Sequence, residues 1–270
     1  MALFQVSFLS EALKRITTFH AFLPNDTLEG VKINNPNYDR PPKTLFLLHG
    51  YTGSSADWIC GSDAMMISRR YNLAIVMPSG ENSFYIDRKT TGHAYETYIS
   101  SDLPSYVSKS LGLSLEKNDI FIGGLSMGGY GALRLALKNP ETYGAAFGLS
   151  SALITEDIKK LANGEKSFAE ELANREYYEE IFGDLKNLDQ SDKDPGFLVR
   201  RNKTEHVANP PLYMACGTED PLLENNRVFA KYLRAEEVDI TYVEEPRIHE
   251  WDFWTRQLEP AVVWALNRLA

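Results

Sequence analysis

Residues 119–139 read DIFIGGLSMGGYGALRLALKN. Ile120, Phe121 and Ile122 form a short apolar run of β-branched and aromatic types, which suits a strand buried on both faces. After Gly131, the residues Ala132, Leu133, Leu135, Ala136 and Leu137 are interrupted by only two charges, Arg134 and Lys138. That pattern predicts a mostly buried helix ending at Asn139-Pro140. Between strand and helix stands Gly124-Leu125-Ser126-Met127-Gly128, a match to G-x-S-x-G, the sharp strand-to-helix turn that strains the serine backbone and lifts its hydroxyl clear of the sheet. The flanking glycines avoid a Cβ where strand and helix crowd together. Gly-rich turns also cradle phosphates, but the stretch has no G-x-G-x-x-G register and no G-K-[ST]. Ser126 is therefore the candidate nucleophile, and the rest of the chain must supply a base, an acid and an oxyanion hole.

The totals narrow the setting. A chain of 270 residues, 43% hydrophobic and 24% charged, is expected to form one α/β domain over residues 1–270. A net charge of -9 argues against nucleic acid or an anionic membrane as partner. No apolar run reaches membrane-spanning length, and MALFQVSFLSEALKR lacks the basic start of a signal peptide. The two cysteines, Cys60 and Cys216, read as free thiols in a reducing cytoplasm. No His/Cys cluster has zinc spacing and no calcium loop appears, so no metal or cofactor is expected. Whether the chain forms a homo-oligomer is left open.

Apolar runs predict strands at Leu3–Leu9, Ile16–Leu23, Thr44–Leu48, Leu73–Met77, Tyr143–Leu149, Pro211–Cys216 and Ile240–Val243, besides the one before Ser126. Thr44–Leu48 leads into His49-Gly50-Tyr51-Thr52-Gly53, an H-G-x-x-G loop. A loop at this place can donate a backbone N–H to an oxyanion, so Tyr51 and Met127 are the expected donors, with His49 packing structurally. Ser54–Arg70 reads as helical or irregular. Glu81–Tyr95 is a loop whose aromatics could line a cleft or anchor the loop. Trp58, Phe84 and Tyr85 are the candidate substrate-stacking side chains. Glu96–Ser110 predicts a helix that Pro104 bends or starts. Thr155–His206 holds 13 acidic and 9 basic residues, which supplies -4 of the net charge. It reads as a helical insertion rather than a core of its own.

Asp220 follows a predicted strand, where active-site residues of open α/β sheets gather. Glu219 is its rival, and Pro221 makes an N-cap role equally physical. Only His206 and His249 follow the serine. His206 falls in the charged insertion, whereas His249 falls in a strand-to-helix loop, which makes it the better base.

In chain order, HGYTG, GLSMGGYGAL, GTEDPLL and IHEWDFW resemble the esterase D branch of α/β-hydrolases, and within it the bacterial tributyrin esterases. The resemblance covers most of the chain and is weakest over the insertion. It implies a mostly parallel eight-stranded sheet flanked by helices, with the insertion over the strand C-terminal ends. It also implies hydrolysis of small-molecule short-acyl esters by Ser126, Asp220 and His249, with Tyr51 and Met127 as oxyanion donors. S-formylglutathione hydrolases of the same branch usually carry Cys where this chain has Gly53. Feruloyl, cinnamoyl and acetyl-carbohydrate esterases are also related. A non-catalytic binding protein on the same fold is the alternative of a different class.

Overall fold

The computed structural model describes residues 1–88, 90–162 and 173–269. Eight strands form one sheet: β1 (Ala2–Ser10), β2 (Arg15–Leu23), β3 (Lys43–Leu48), β4 (Leu73–Pro78), β5 (Ile120–Leu125), β6 (Ala145–Leu149), β7 (Leu212–Gly217) and β8 (Ile240–Glu245). Their order is β1-β2-β4-β3-β5-β6-β7-β8. The β1–β2 and β2–β4 pairings are antiparallel and every other pairing is parallel. This is the α/β-hydrolase architecture, and all eight strands fall where the apolar runs place them.

The helices used below are α1 (Ala64–Tyr71), α2 (Leu103–Leu111), α3 (Met127–Lys138), α4 (Arg175–Phe182), α5 (Pro195–Thr204), α6 (Leu223–Ala235) and α7 (Trp251–Arg268). They cover both faces of the sheet. Side chains alternate across a strand. Thus Phe46, Leu48, Ile120 and Ile122 join one core with Leu103, Leu133 and Leu233, while Leu45, Leu47 and Phe121 join the other with Ile67, Phe253 and Val262. Burial on both faces explains why β3, β4 and β5 read as unbroken apolar runs.

Two expectations change in detail. The predicted helix over Glu96–Ser110 is a composite: a turn of α-helix at Tyr95–Thr97, a π-helical turn at Tyr98–Asp102, then α2. Pro104 lacks an N–H and stands at the junction of the π-helical turn with α2, so the helical hydrogen-bond ladder is interrupted there. The insertion is helical at Thr155–Ile158, α4 and α5, and its residues 163–172 lie outside the described residues. Ile158, Tyr178, Ile181, Phe182, Leu185, Leu188 and Leu198 extend the main core rather than making a separate one. Among the described residues, no helix is long and apolar enough to cross a membrane.

Candidate active site

The site grows from the turn between β5 and α3. Ser126 is the N-cap of α3 with φ 51° and ψ -118°, a left-handed conformation that costs a non-glycine residue about 1–3 kcal/mol. The surroundings hold it there. Its N–H donates to Leu149 O at 2.8 Å, and its carbonyl accepts from Tyr130 and Ala152 N–H groups, each at 3.0 Å. The glycines on either side admit no side chain. A Cβ on Gly124 would stand 2.6 Å from Gly128 backbone, and one on Gly128 would stand 2.5 Å from Leu48 O.

Asp220 and His249 arrive from the ends of β7 and β8. Their loops are stitched together, since Thr218 N–H donates to Glu245 O at 2.9 Å and Glu219 N–H donates to Arg247 O at 3.0 Å. The structure brings the three predicted side chains into line: His249 Nδ1 is 2.8 Å from Asp220 Oδ2, and His249 Nε2 is 3.1 Å from Ser126 Oγ. A carboxylate only accepts, so Nδ1 carries the proton and Nε2 is free to take one from the serine. Trp254 meets the imidazole edge-on, with ring centroids 5.0 Å apart, which fixes its plane. Burial favours a neutral Asp220, but the hydrogen bond and charge of His249, with Leu222 N–H, outweigh it and hold the carboxyl below its usual range. Asp220 takes the triad role but not the N-cap role also weighed from sequence: α6 is capped at Leu222, while Asp220 Oδ1 accepts from Leu222 N–H at 2.8 Å in the turn ahead of the helix and Oδ2 faces His249. Glu219, its rival, is exposed.

A cavity of about 630 Å³ opens above Ser126. Tyr51 and Met127 both line it. Met127 opens α3, so its N–H has no acceptor within the helix. Tyr51 stands next to Thr52, whose N–H donates to Asn82 Oδ1 at 2.8 Å. His49 is buried beneath this loop. Its Nδ1 faces Gly50 O at 2.7 Å and its Nε2 accepts from Gly80 N–H at 2.8 Å. Burial pushes its pKa down, so it is a neutral brace, as the sequence suggested.

Of the three aromatics expected to face substrate, only Phe84 lines the cavity. Trp58 is buried and donates from Nε1 to Leu48 O at 3.1 Å. Tyr85 is buried and donates to His49 O at 2.9 Å. Both are anchors under the loops, because each polar atom is spent on a buried carbonyl. The walls come instead from residues not foreseen: Ala152 and Ile154 after β6, Tyr178 of α4, and Trp251 and Trp254 of α7. Among the described residues, no group of His, Cys, Asp or Glu could hold a metal ion.

Comparison with known proteins follows this geometry. The esterase family model matches residues 10–265. The chain belongs to the esterase family. The esterase is 40% identical to an acetyl esterase of Caldicellulosiruptor saccharolyticus over 98% of both chains. It is 25% identical to the substrate-bound fluorophosphonate-binding serine hydrolase FphF of Staphylococcus aureus, with a TM-score of 0.83 and 98% of both chains covered. It is 27% identical to the S-formylglutathione hydrolase FrmB of Staphylococcus aureus, with a TM-score of 0.82, covering 98% of this chain and 99% of that one. The esterase is thus a carboxylic ester hydrolase on an α/β-hydrolase fold.

Proposed function

We propose that the esterase hydrolyses small-molecule esters of short acyl groups, acetyl to butyryl, through an acyl-serine intermediate. The observation that carries this reading is the imidazole of His249 set between Ser126 Oγ and Asp220 Oδ2 at the floor of the cavity. Ser126 Oγ attacks the ester carbonyl while His249 Nε2 takes its proton, and Asp220 holds the tautomer and stabilises the imidazolium. The Tyr51 and Met127 N–H groups receive the oxyanion, each contributing about 3 kcal/mol to the transition state by analogy with other serine hydrolases. His249 then protonates the leaving alcohol. Water, activated by the same imidazole, releases the acid and restores Ser126.

Two observations favour a short acyl group. The relative that is 40% identical is an acetyl esterase, and bulky Phe84, Ile154 and Tyr178 wall the cavity. Within the family, HGYTG, GLSMGGYGAL and IHEWDFW favour the esterase D branch and its tributyrin esterases. The aromatic-acyl reading loses two of its three stacking surfaces to burial. The thioester reading draws support from the FrmB likeness. Against it stands Gly53 in the place of the cysteine usual in those hydrolases; a Cβ there would fall 2.2 Å from Asp57 Oδ2 and 3.0 Å from Gly50 O, so the Asp57 side chain would have to swing aside to admit it.

The test is kcat/KM for 4-nitrophenyl acetate, butyrate and octanoate beside methyl ferulate, an acetylated sugar and S-formylglutathione, with fluorophosphonate labelling of wild type and Ser126→Ala. The expected result is a maximum at acetate or butyrate and a label lost with Ser126. An unlabelled wild type would favour a non-catalytic binding protein. A maximum on octanoate would remove the short-acyl assignment and leave the nucleophile intact.

A further inference from the structure

β1 is an open edge of the sheet: it pairs with β2 on one side and, among the described residues, has no strand on the other. Soluble proteins commonly blunt such edges with charge, proline, a bulge or brevity. β1 has none of these. It is nine residues long, ALFQVSFLS, pairs with β2 without a bulge from Ala2 to Ser10, and carries neither charge nor proline. The opposite edge is managed differently, since β8 ends in Glu244 and Glu245 and Glu244 is paired with Arg227.

The apolar side chains of β1 fall on both faces. Phe4, Val6 and Phe8 are half-buried against the main core, and Phe8 stacks on Tyr106 of α2 at 4.3 Å. On the other face Leu3 is 51% and Leu9 68% exposed, and Leu9 is paired with Ile16, itself 71% exposed. Exposed leucines on an uncharged edge are a row awaiting a partner.

The sequence of β1 says which partner. Residues 3–9, LFQVSFL, read L-F-x-V-x-F-L in both directions. Only antiparallel pairing of the strand with its own copy makes use of that symmetry. A two-fold axis through Val6 sets Leu3 opposite Leu9, Phe4 opposite Phe8, Gln5 opposite Ser7 and Val6 opposite Val6. Each pair lies on one face, with like beside like, so leucine meets leucine and phenylalanine meets phenylalanine.

We propose that a second copy of this chain docks on β1 in this register, so that the two eight-stranded sheets join into one. The contact is isologous and closes on itself, and the charged β8 edge does not extend it into a fibre. The proposal is independent of the substrate assignment. β1 stands four strands from β5 in the sheet order, so the chemistry at Ser126 reports separately on folding.

Sedimentation or light scattering of the full chain should give twice the 30.5 kDa chain mass. Leu3→Lys with Leu9→Lys puts lysines in facing pairs and should halve the mass, while ester hydrolysis and cooperative unfolding are retained, at a lower melting temperature because the partner no longer stabilises the native chain. Register is read by crosslinking in a Cys60→Ser background, because Cys60 is exposed. Val6→Cys should link to itself as a disulfide under mild oxidation, which only directly opposite pairs permit. Gln5→Cys should link in this way to Ser7→Cys and not to itself, because two Gln5 positions are diagonal neighbours. A monomeric wild type overturns the proposal. So does a dimer that survives the double lysine variant, or a Gln5→Cys protein that links to itself while Val6→Cys does not. If the lysine variant fails to fold, the Val6→Cys result decides.

Discussion

Tyr177 Oη donates to the Asn82 carbonyl oxygen at 2.5 Å, joining α4 of the insertion to the loop after β4. Asn82 in turn accepts the Thr52 N–H through Oδ1 at 2.8 Å, and Thr52 has φ 62°. The insertion thus braces the loop that carries Tyr51, whose ring also meets Tyr177 edge-on at 5.8 Å. One hydrogen bond contributes about 1 kcal/mol net. If the brace sets the Tyr51 N–H for the oxyanion, Asn82→Ala should lower kcat about tenfold, and Tyr177→Phe about fivefold, with KM within twofold of wild type. Steady-state kinetics on 4-nitrophenyl acetate measure this. A raised KM at unchanged kcat would mean that the brace shapes the cavity and not the oxyanion site.

The line from Ser126 through His249 to Asp220 makes a second, sharper prediction. Ser126→Ala should abolish ester hydrolysis with the melting temperature unchanged. Asp220→Asn should lower kcat by several orders of magnitude, about 10⁴ in the serine protease case, because the imidazole tautomer is no longer held. Glu219→Gln, at an exposed side chain, should change kcat by less than a factor of about two. Reversed effects of the two carboxylate variants would assign the role to Glu219.

Gly128→Ala should fail differently, in folding. Its Cβ would come within 2.7 Å of three backbone atoms of Leu48 and His49, and backbone cannot rotate away as a side chain does. We expect little soluble protein. A soluble Gly128→Ala enzyme with wild-type melting would show that the turn relaxes and that its strain is not imposed by this contact.

The central strands β3 to β7 were legible because burial on both faces leaves unbroken apolar runs, β1 was legible from the alternation of Phe4, Val6 and Phe8, and the turn at Ser126 was legible because its glycines are sterically required. The pairing of Asp220 with His249 was legible from their places after strand ends and from the order Ser126, Asp220, His249. Burial of Trp58 and Tyr85 was not legible. Phe84 and Tyr85 both have positive φ, 50° and 54°, and such a turn decides which neighbour faces the cavity and which faces the core. Tyr178 was hidden by the charge of the insertion. The signal was present, however: Tyr178, Ile181, Phe182 and Leu185 recur at helical spacing, and all four are buried. The symmetry of LFQVSFL was equally visible, but it acquires meaning only once β1 is known to be an edge.

The return of the insertion is clamped by charge. Buried Arg134 of α3 pairs with Glu96 at 2.7 Å and donates from Nε to Asp192 O at 2.8 Å, while Lys138 reaches both Glu96 and Asp192. Arg134→Met should cost about 3–5 kcal/mol, as for other broken buried pairs. Burial works to raise the Asp192 pKa, but the Lys138 hydrogen bond and the Arg134 charge prevail and lower it. A carboxyl lowered on folding contributes stability above its unfolded pKa, about 3.9, and that contribution is lost as pH falls through the folded value. Asp192→Asn should therefore melt lower than wild type at pH 7, with the difference shrinking below about pH 4. Thermal melts across pH check it, and a difference constant from pH 7 to pH 3 would remove the charge from the explanation.

The acyl-length limit should reside in Tyr178. It is buried at the cavity wall, packed against Phe84 and Phe182 with ring centroids 6.1 and 6.2 Å away. Each CH₂ moved from water to an apolar wall contributes about 0.8 kcal/mol, roughly a factor of four in kcat/KM. A pocket with room would therefore favour octanoate over butyrate strongly, whereas a closed one converts the extra carbons into a clash. Tyr178→Ala removes a ring at a cost of about 3–5 kcal/mol in stability, and Tyr178→Leu offers a milder version of the same change. Both should raise the octanoate-to-butyrate ratio of kcat/KM by tenfold or more, with acetate nearly unaffected. A parallel series varying the alcohol at constant acetyl group distinguishes the two sides of the ester. If Tyr178 variants alter alcohol preference and leave acyl preference alone, the ring borders the leaving group, and the acyl limit belongs to Ile154 and Ala152 instead.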